Sequence, residues 1–406
     1  MQRRIVVTGC GVVSAAGTDL SSFWQSLLEG TCFIKPLQNF SAPGLEQLMG
    51  AEVELPTSDA LPGAVDGDAR RSRTGQLALA ATRRAIEDAA LVRDAAALER
   101  TGLALGTTLG EERQVGDLSE RWAASGPTSV DAGFYTRSDN HHLASLVAAR
   151  YGLGGPVLLC AAACSSGNAA MASAFDLITS GAADTMIVGG ADTLTRSIYC
   201  GFHRMGALSK GICRPFDRHR DGVSFGEGAG VVVLEELEHA TRRGARIYAE
   251  MAGYGMSNDA HHVTAPDPHG DGFARAMNQA LSHAGLSPTS IDYVSAHGTG
   301  TQYNDLGEIR AMKKVFGNCP SQVPISSIKS MIGHTNGAAS AIEAVACALA
   351  LTHQALPPTA NLTEPDPECD WDCVAGKGRE ARVEHCLNLA AGFGGFNVCV
   401  VMRRWP

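Results

Sequence analysis

Short apolar runs alternate with longer segments of helical period along nearly the whole chain, and this alternation limits the folds open to it. Residues 5–9, 102–106, 185–190, 231–234, 247–252, 291–294, 387–391 and 398–402 read as strands. Residues 20–28, 76–90, 142–151, 169–178, 235–243, 273–284 and 337–351 carry helical pattern between them. Strands that alternate with helices build an α/β architecture around a largely buried sheet. A length of 406 residues suits two or three domains, or two large halves sharing one core. No low-complexity linker divides the chain, and no repeat shows by residue identity. The weakest seam falls near Glu250, separating residues 1–250 from 251–406. Residues 40–70, rich in Pro, Gly and Asp, read as an irregular surface excursion.

Charge and cysteine usage narrow the class. Lys and Arg number 33 against 42 Asp and Glu, a net charge of −9, which argues against nucleic acid as the main partner. No apolar stretch approaches the length of a membrane span. The basic start followed by Val6-Val7-Thr8-Gly9 reads as a first strand and turn rather than a signal peptide, so a cytoplasmic location is expected. The 12 cysteines contain no C-x-x-C pair. Cys369 and Cys373 lack a second pair to complete a tetrahedral site, so no metal is expected. Most thiols, Cys10, Cys160, Cys347 and Cys399 among them, lie in apolar runs and read as reduced core residues. Gly9-Cys10-Gly11 follows a strand as a dinucleotide fingerprint would. The third glycine and the acidic residue about twenty positions on are both missing.

Three segments carry candidate chemistry. In "CAAACSSGNAA" (160–170) the apolar run stops at Cys164, and Ser165-Ser166-Gly167 can open a helix. Packing accounts for Cys160; Cys164 sits at a strand-to-helix corner, where a helix N-terminus favours thiolate. In "AHGTGT" (296–301) and "SSIKSMIGHT" (326–335) a histidine lies in a glycine-rich loop after a strand or before a helix. Such loops line the functional crevice of open α/β sheets. The doublets His141-His142 and His261-His262 are not metal pairs, because adjacent residues do not share a helix face.

Four motifs in order, "ACSSG" (163–167), "HGTGT" (297–301), "KSMIGHTNGAA" (329–339) and "GFGGFN" (392–397), resemble the β-ketoacyl-acyl-carrier-protein synthases of the elongating, two-histidine, FabF-type class. The similarity spans essentially the whole chain. It implies the thiolase fold, with two similar α/β halves in a five-layer α-β-α-β-α sandwich, usually dimeric. It also implies a decarboxylative Claisen condensation between an acyl thioester and malonyl-acyl-carrier protein. By this resemblance Cys164 takes the acyl group, while the N–H groups of Cys164 and Phe393 form the oxyanion hole beside the gate. His297 and His334 hydrogen-bond the enolate left by loss of carbon dioxide. Lys329 and Glu343 hold the histidines' orientation and charge state, and Asp305 and Glu308 support them. Thr299 and Thr301 hydrogen-bond the phosphopantetheine arm, and Phe202, Ala391 and Phe396 face the substrate. No bound cofactor is implied; the arm belongs to the carrier protein.

The sequence departs from the family pattern near the acyl chain. Phe396 stands where Thr is usual, Ala391 where a bulky aromatic is frequent, and Ala162 where a hydroxyl residue is frequent. A smaller Ala391 admits a wider or more rigid chain, which leaves fatty-acid and polyketide or polyene elongation both open. The acidic carrier needs a local basic patch on a chain of net charge −9, and Arg70, Arg71, Arg73 and Arg204 are the candidates. A homodimer and a heterodimer with a chain-length-factor-like subunit are both compatible with the sequence. Such factor subunits typically lack the nucleophile, whereas Cys164 is present here. A Cys-His hydrolase gives no role to the second histidine, and a thiolase carries a second cysteine where Phe393 stands.

Overall fold

The structure, a computed structural model, describes residues 3–38, 41, 44–45, 48–56, 72–91, 98–130, 133–134, 138–317 and 323–406. Most of the 40–70 excursion, with Arg70 and Arg71, lies outside the described residues. Strands β1 (Ile5–Val13), β2 (Lys35–Pro36), β3 (Met49–Ala51), β4 (Gly102–Gly106), β5 (Val157–Cys160), β6 (Thr185–Asp192), β7 (Phe225–Gly226) and β8 (Gly228–Glu236) come first. Then follow β9 (Ala249–Asn258), β10 (Tyr293–Ser295), β11 (Ile325–Ser326), β12 (Ala355–Leu356), β13 (Arg379–Glu380), β14 (His385–Gly392) and β15 (Phe396–Arg404). The main sheet has ten strands in the order β11-β10-β14-β15-β9-β1-β8-β6-β4-β5.

That order contains one pattern twice. In β5-β4-β6-β8-β1 the first three strands are parallel, then β8 and β1 each run antiparallel to their neighbour. The sequence β11-β10-β14-β15-β9 repeats these directions. The two sets join through a short pairing of Ile5–Val7 with Ala249–Met251. Glu250, at the predicted seam, accepts from Arg4 Nε and Nη2 at 2.8 Å and from Arg403 Nη1 at 3.3 Å, so an ion-pair cluster reinforces this joint.

Helices Ser166–Thr179 and Ala339–His353 lie between the two sets, touching strands of both. Helices Arg73–Asp88 and His141–Tyr151 cover the outer face of the first set, and Asp271–Ala284 covers the outer face of the second, with Gln302–Phe316 against it. These are the five layers of the thiolase fold. The central helices are largely apolar, with Asn168, Asp176 and Glu343 as polar exceptions, as burial between two sheets requires. Ala339–His353 is buried from Ala339 to Leu351. The sequence pattern missed helices Glu112–Ser125 and Gln302–Phe316, whose polar residues mask the period.

Close approach of the central helices depends on Gly167. A Cβ there would lie 2.7 Å from the Ala341 nitrogen, in backbone that cannot step aside. Gly167→Ala is therefore expected to destabilise the protein by about 1–3 kcal/mol, the usual cost of overpacking, read as a lowered Tm. Asn168 and Asn388 complete the joint. Asn388 Nδ2 donates to Asn168 Oδ1 (2.9 Å) and to the Ser340 carbonyl (2.8 Å), linking β14 to both central helices. Among the thiols, Cys10, Cys347 and Cys399 are buried as expected. Cys160 is not: it lies on β5, the edge strand, and is partly exposed. No helix among the described residues is long and apolar enough to cross a membrane.

Candidate active site

The repeated topology brings the chemistry together. Cys164 precedes one central helix and His334 the other, at equivalent points of the two halves, while His297 follows β10. All three line one cavity of about 80 Å³, together with Phe202, Thr299, Thr301, Ala391 and Phe393. The rings of His297 and His334 lie 5.5 Å apart, centroid to centroid, at 85°. Eight residues chosen from sequence thus share one space. That space holds a few water molecules and no acyl chain, so chain binding requires side chains at the mouth to move. Phe393, stacked on Phe202 at 5.1 Å and 6°, is the wall most exposed to solvent.

Each loop has a local reason for its shape. Ala163, just before Cys164, takes a left-handed conformation (φ 48°) that turns the chain sharply into the helix. Gly333, just before His334, has φ 68°, and a Cβ there would meet the Phe225 backbone at 2.6 Å. His334 is pinned on both sides: its N–H donates to the Ser224 carbonyl (2.7 Å), and its carbonyl accepts from the Gly226 N–H (3.1 Å). The His297 loop is held by helix Gln302–Phe316. Glu308 accepts from the N–H groups of His297 (2.6 Å) and Gly298 (2.8 Å), and Asp305 from those of Thr299 and Gly300 (3.2 Å each). Asp305 also faces Arg220, with Nε 3.8 Å away.

The electrostatics favour neutral imidazoles. Burial, reinforced by the Lys329 ammonium, pushes both histidines well below the usual imidazole range, and for His297 the His334 ring adds to the effect. His334 Nδ1 accepts from the Asn336 N–H at 3.2 Å, which leaves the proton on Nε2. Lys329 and Glu343, each 1% exposed, form a buried ion pair whose ammonium acts on both rings. Burial pushes the Glu343 carboxyl up to about 7 against the pull of Lys329. Among the described residues, the Cys164 and Phe393 N–H groups donate to no backbone carbonyl.

Family comparison gives this geometry its context. Residues 2–240 match the N-terminal domain and residues 248–363 the C-terminal domain of β-ketoacyl synthase. The chain belongs to the β-ketoacyl synthase family. It is 39% identical over its full length to a 3-oxoacyl-[acyl-carrier-protein] synthase 2 of Synechocystis, covering 99% of that protein. A putative polyketide β-ketoacyl synthase 1 of Streptomyces cyaneus is also 39% identical, over 99% of this chain and 98% of the relative. Among solved structures, the ishigamide ketosynthase/chain length factor superposes with a TM-score of 0.95 at 38% identity, both chains being covered completely. This synthase is an acyltransferase that performs decarboxylative Claisen condensation in fatty-acid or polyketide chain elongation.

Three expectations for the synthase change in the structure. Phe396 does not line the cavity. The alternation of β15 turns Asn397 inward and leaves Phe396 41% exposed, with its carbonyl accepting from Ser165 Oγ at 2.9 Å. Arg73 is unavailable to a carrier because its guanidinium binds the buried Glu227 at 2.6 Å, whereas Arg204 is exposed. The Cys164 thiol is not lowered by its helix end: burial pushes it up to about 12, with Lys329 opposing and Asp192 adding to the rise.

Asp192 was missed by sequence reasoning. It ends β6, fully buried, and accepts from Thr107 Oγ1 (2.7 Å) and from the N–H groups of Thr108 (2.8 Å), Leu109 (2.9 Å) and Gly337 (2.7 Å). It thereby ties the loop after β4 to the start of the second central helix. An acid closing the apolar run "MIVGGAD" was the available signal. Asp259 and Asn304, both cavity-lining, carried none, whereas Asn397 closes the motif "GFGGFN" without having been singled out.

Proposed function

We propose that Cys164, His297 and His334 carry the condensation and that an acyl-carrier protein delivers both substrates. The supporting observation is the single cavity that holds the thiol and two neutral imidazoles set at right angles. In the first half-reaction Cys164 Sγ attacks the acyl thioester carbonyl. The oxyanion takes hydrogen bonds from the Cys164 and Phe393 N–H groups, and the carrier thiol departs with the proton. In the second, the malonyl carboxylate leaves as carbon dioxide, and its electron pair forms an enolate whose oxygen accepts from the two imidazole N–H groups. The enolate carbon attacks the acyl-Cys164 carbonyl. The sulfur leaves and takes a proton from solvent, and the β-ketoacyl chain remains on the carrier.

Lys329 and Glu343 act by keeping the rings neutral and fixed, and Asp305 and Glu308 by shaping the His297 loop. Thr299 and Thr301, with Oγ1 atoms 2.9 Å apart, present hydroxyls to the phosphopantetheine arm. Arg204 contributes to the docking patch. Ala391 leaves space beside the nucleophile for a wide or rigid chain. The unpaired cysteines suit a reducing compartment, the cytoplasm. The catalytic assembly is a homodimer or a heterodimer with a chain-length-factor-like subunit, divided within each chain near residue 250.

Intact-mass trapping with a panel of acyl-carrier thioesters tests nucleophile and chain preference together. Label on Cys164 is expected, and label elsewhere overturns the assignment. Best loading by ordinary saturated chains removes the role given to Ala391.

The titration of the site gives a further prediction. A thiol near pKa 12 is almost wholly protonated at neutral pH. Alkylation of Cys164 by iodoacetamide, followed by peptide mass mapping, is expected to rise about tenfold per pH unit from about 7 to 10 with no plateau. Both histidines, held below their ordinary range, stay neutral as pH falls through that range. Malonyl decarboxylation is therefore expected to show no acid limb near pH 6.5. A limb there would mean that an imidazole titrates normally.

A further inference from the structure

A run of ring contacts leads from the cavity mouth to His334. Phe393 stacks on Phe202 at 5.1 Å and 6°. Phe202 meets Phe225 edge-on at 4.8 Å and 87°. Phe225 in turn lies 6.2 Å from the His334 ring at 21°, nearly face to face. Phe225 is fully buried in β7, and Tyr199 closes a further side at 5.4 Å and 77°. The Tyr199 hydroxyl donates to the Met49 carbonyl at 3.1 Å, which fixes this ring too.

Backbone bonds and the Asn336 contact hold the His334 main chain and Nδ1. Only one long bond, the 3.2 Å contact from the Asn336 N–H to Nδ1, restrains the tilt of the imidazole plane, which sets where its Nε2–H points. Phe225 lies against that plane on one face, and His297 stands perpendicular to it at 5.5 Å. Two donors aimed at one oxygen need a ring orientation good to about 10–20°.

We propose that Phe225 is the positioning residue for His334, holding its imidazole in the plane required for enolate stabilisation, with Phe202 transmitting the state of Phe393 to it. The inference rests on His334 being an enolate donor and adds how that donor is aimed. Displacing Phe393 to admit a chain removes the stacking partner of Phe202 and loosens the ring behind His334, so decarboxylation is favoured when the mouth is closed.

The test separates the half-reactions. Carbon dioxide release from malonyl-carrier protein is measured in a Cys164→Ala background, with and without Phe225→Leu. Acylation by a hexanoyl thioester of N-acetylcysteamine is followed by intact mass in the Cys164 protein with and without Phe225→Leu. The expected result is a decarboxylation kcat about tenfold lower, with KM for malonyl-carrier protein and the acylation rate each within about twofold. Unchanged decarboxylation, or parallel loss of both half-reactions in a folded variant, overturns the proposal. Should Phe225→Leu fail to fold, Phe225→Met, which nearly keeps the volume and loses the flat ring face, is expected to show the same selective loss, and its absence is equally decisive. A His334→Ala control that keeps full decarboxylation would remove the underlying assignment of His334 instead.

Discussion

Cys164→Ala is expected to abolish acyl transfer while leaving malonyl decarboxylation measurable. The enolate forms against the imidazoles and not against sulfur, so removing the thiol deletes the acyl carrier and spares the donors. Alanine fits the site because it only shortens the side chain at the corner after Ala163, where the backbone conformation is already fixed. His297→Ala and His334→Ala are expected to show the reverse. Loss of one positioned donor lowers decarboxylation by about two to three orders of magnitude, or roughly 3–4 kcal/mol, with Cys164 still acylated. The paired assays are carbon dioxide release and intact mass. Acyl transfer surviving in Cys164→Ala refutes the nucleophile, and equal loss of both steps in all three variants refutes the division of labour.

Lys329→Ala is expected to have the largest effect on stability. Lys329 and Glu343 are both buried, and Glu343 Oε2 already lacks a hydrogen-bond partner among the described residues. Removing the ammonium leaves a carboxylate uncompensated in low dielectric, at a cost of about 3–5 kcal/mol. The carboxyl, already raised by burial, rises further without its cation. A raised folded pKa means that the folded protein binds a proton the unfolded chain releases. Stability is then greatest below the unfolded carboxylate pKa and falls as pH climbs through the folded one. The Tm of Lys329→Ala is therefore expected to drop as pH rises from about 5 to 8. The double variant Lys329→Met/Glu343→Leu, with no buried charge, is expected to recover most of the stability. It does not fully recover decarboxylation, because the cation that reinforces burial in keeping the histidines neutral is absent. A double variant as unstable as the single one would show that the pair's bulk, and not its charge, matters.

The sequence by itself determined the layered α/β architecture, because apolar runs too short for helices alternated with helical segments, and burial patterns of this kind are local. It also marked Cys164, His297 and His334, since glycine-rich loops at strand and helix ends are written in consecutive residues. Whole-chain motifs supplied the family. Only the tertiary structure decided how these loops meet: the two halves repeat one strand order, so the N-termini of both central helices converge on one cavity. Side-chain direction was likewise settled in three dimensions. Phe396 and Asn397 are neighbours in sequence, yet strand alternation puts one outside and the other in the site. The Cys164 thiol pKa rose instead of falling because enclosure by both halves outweighs the helix end, a quantity that depends on what packs around the sulfur. Asp192 and Phe225 stayed hidden for the same reason, since Gly337 and His334, the partners that tie them to the site, lie more than a hundred residues further along the chain and next to them in space.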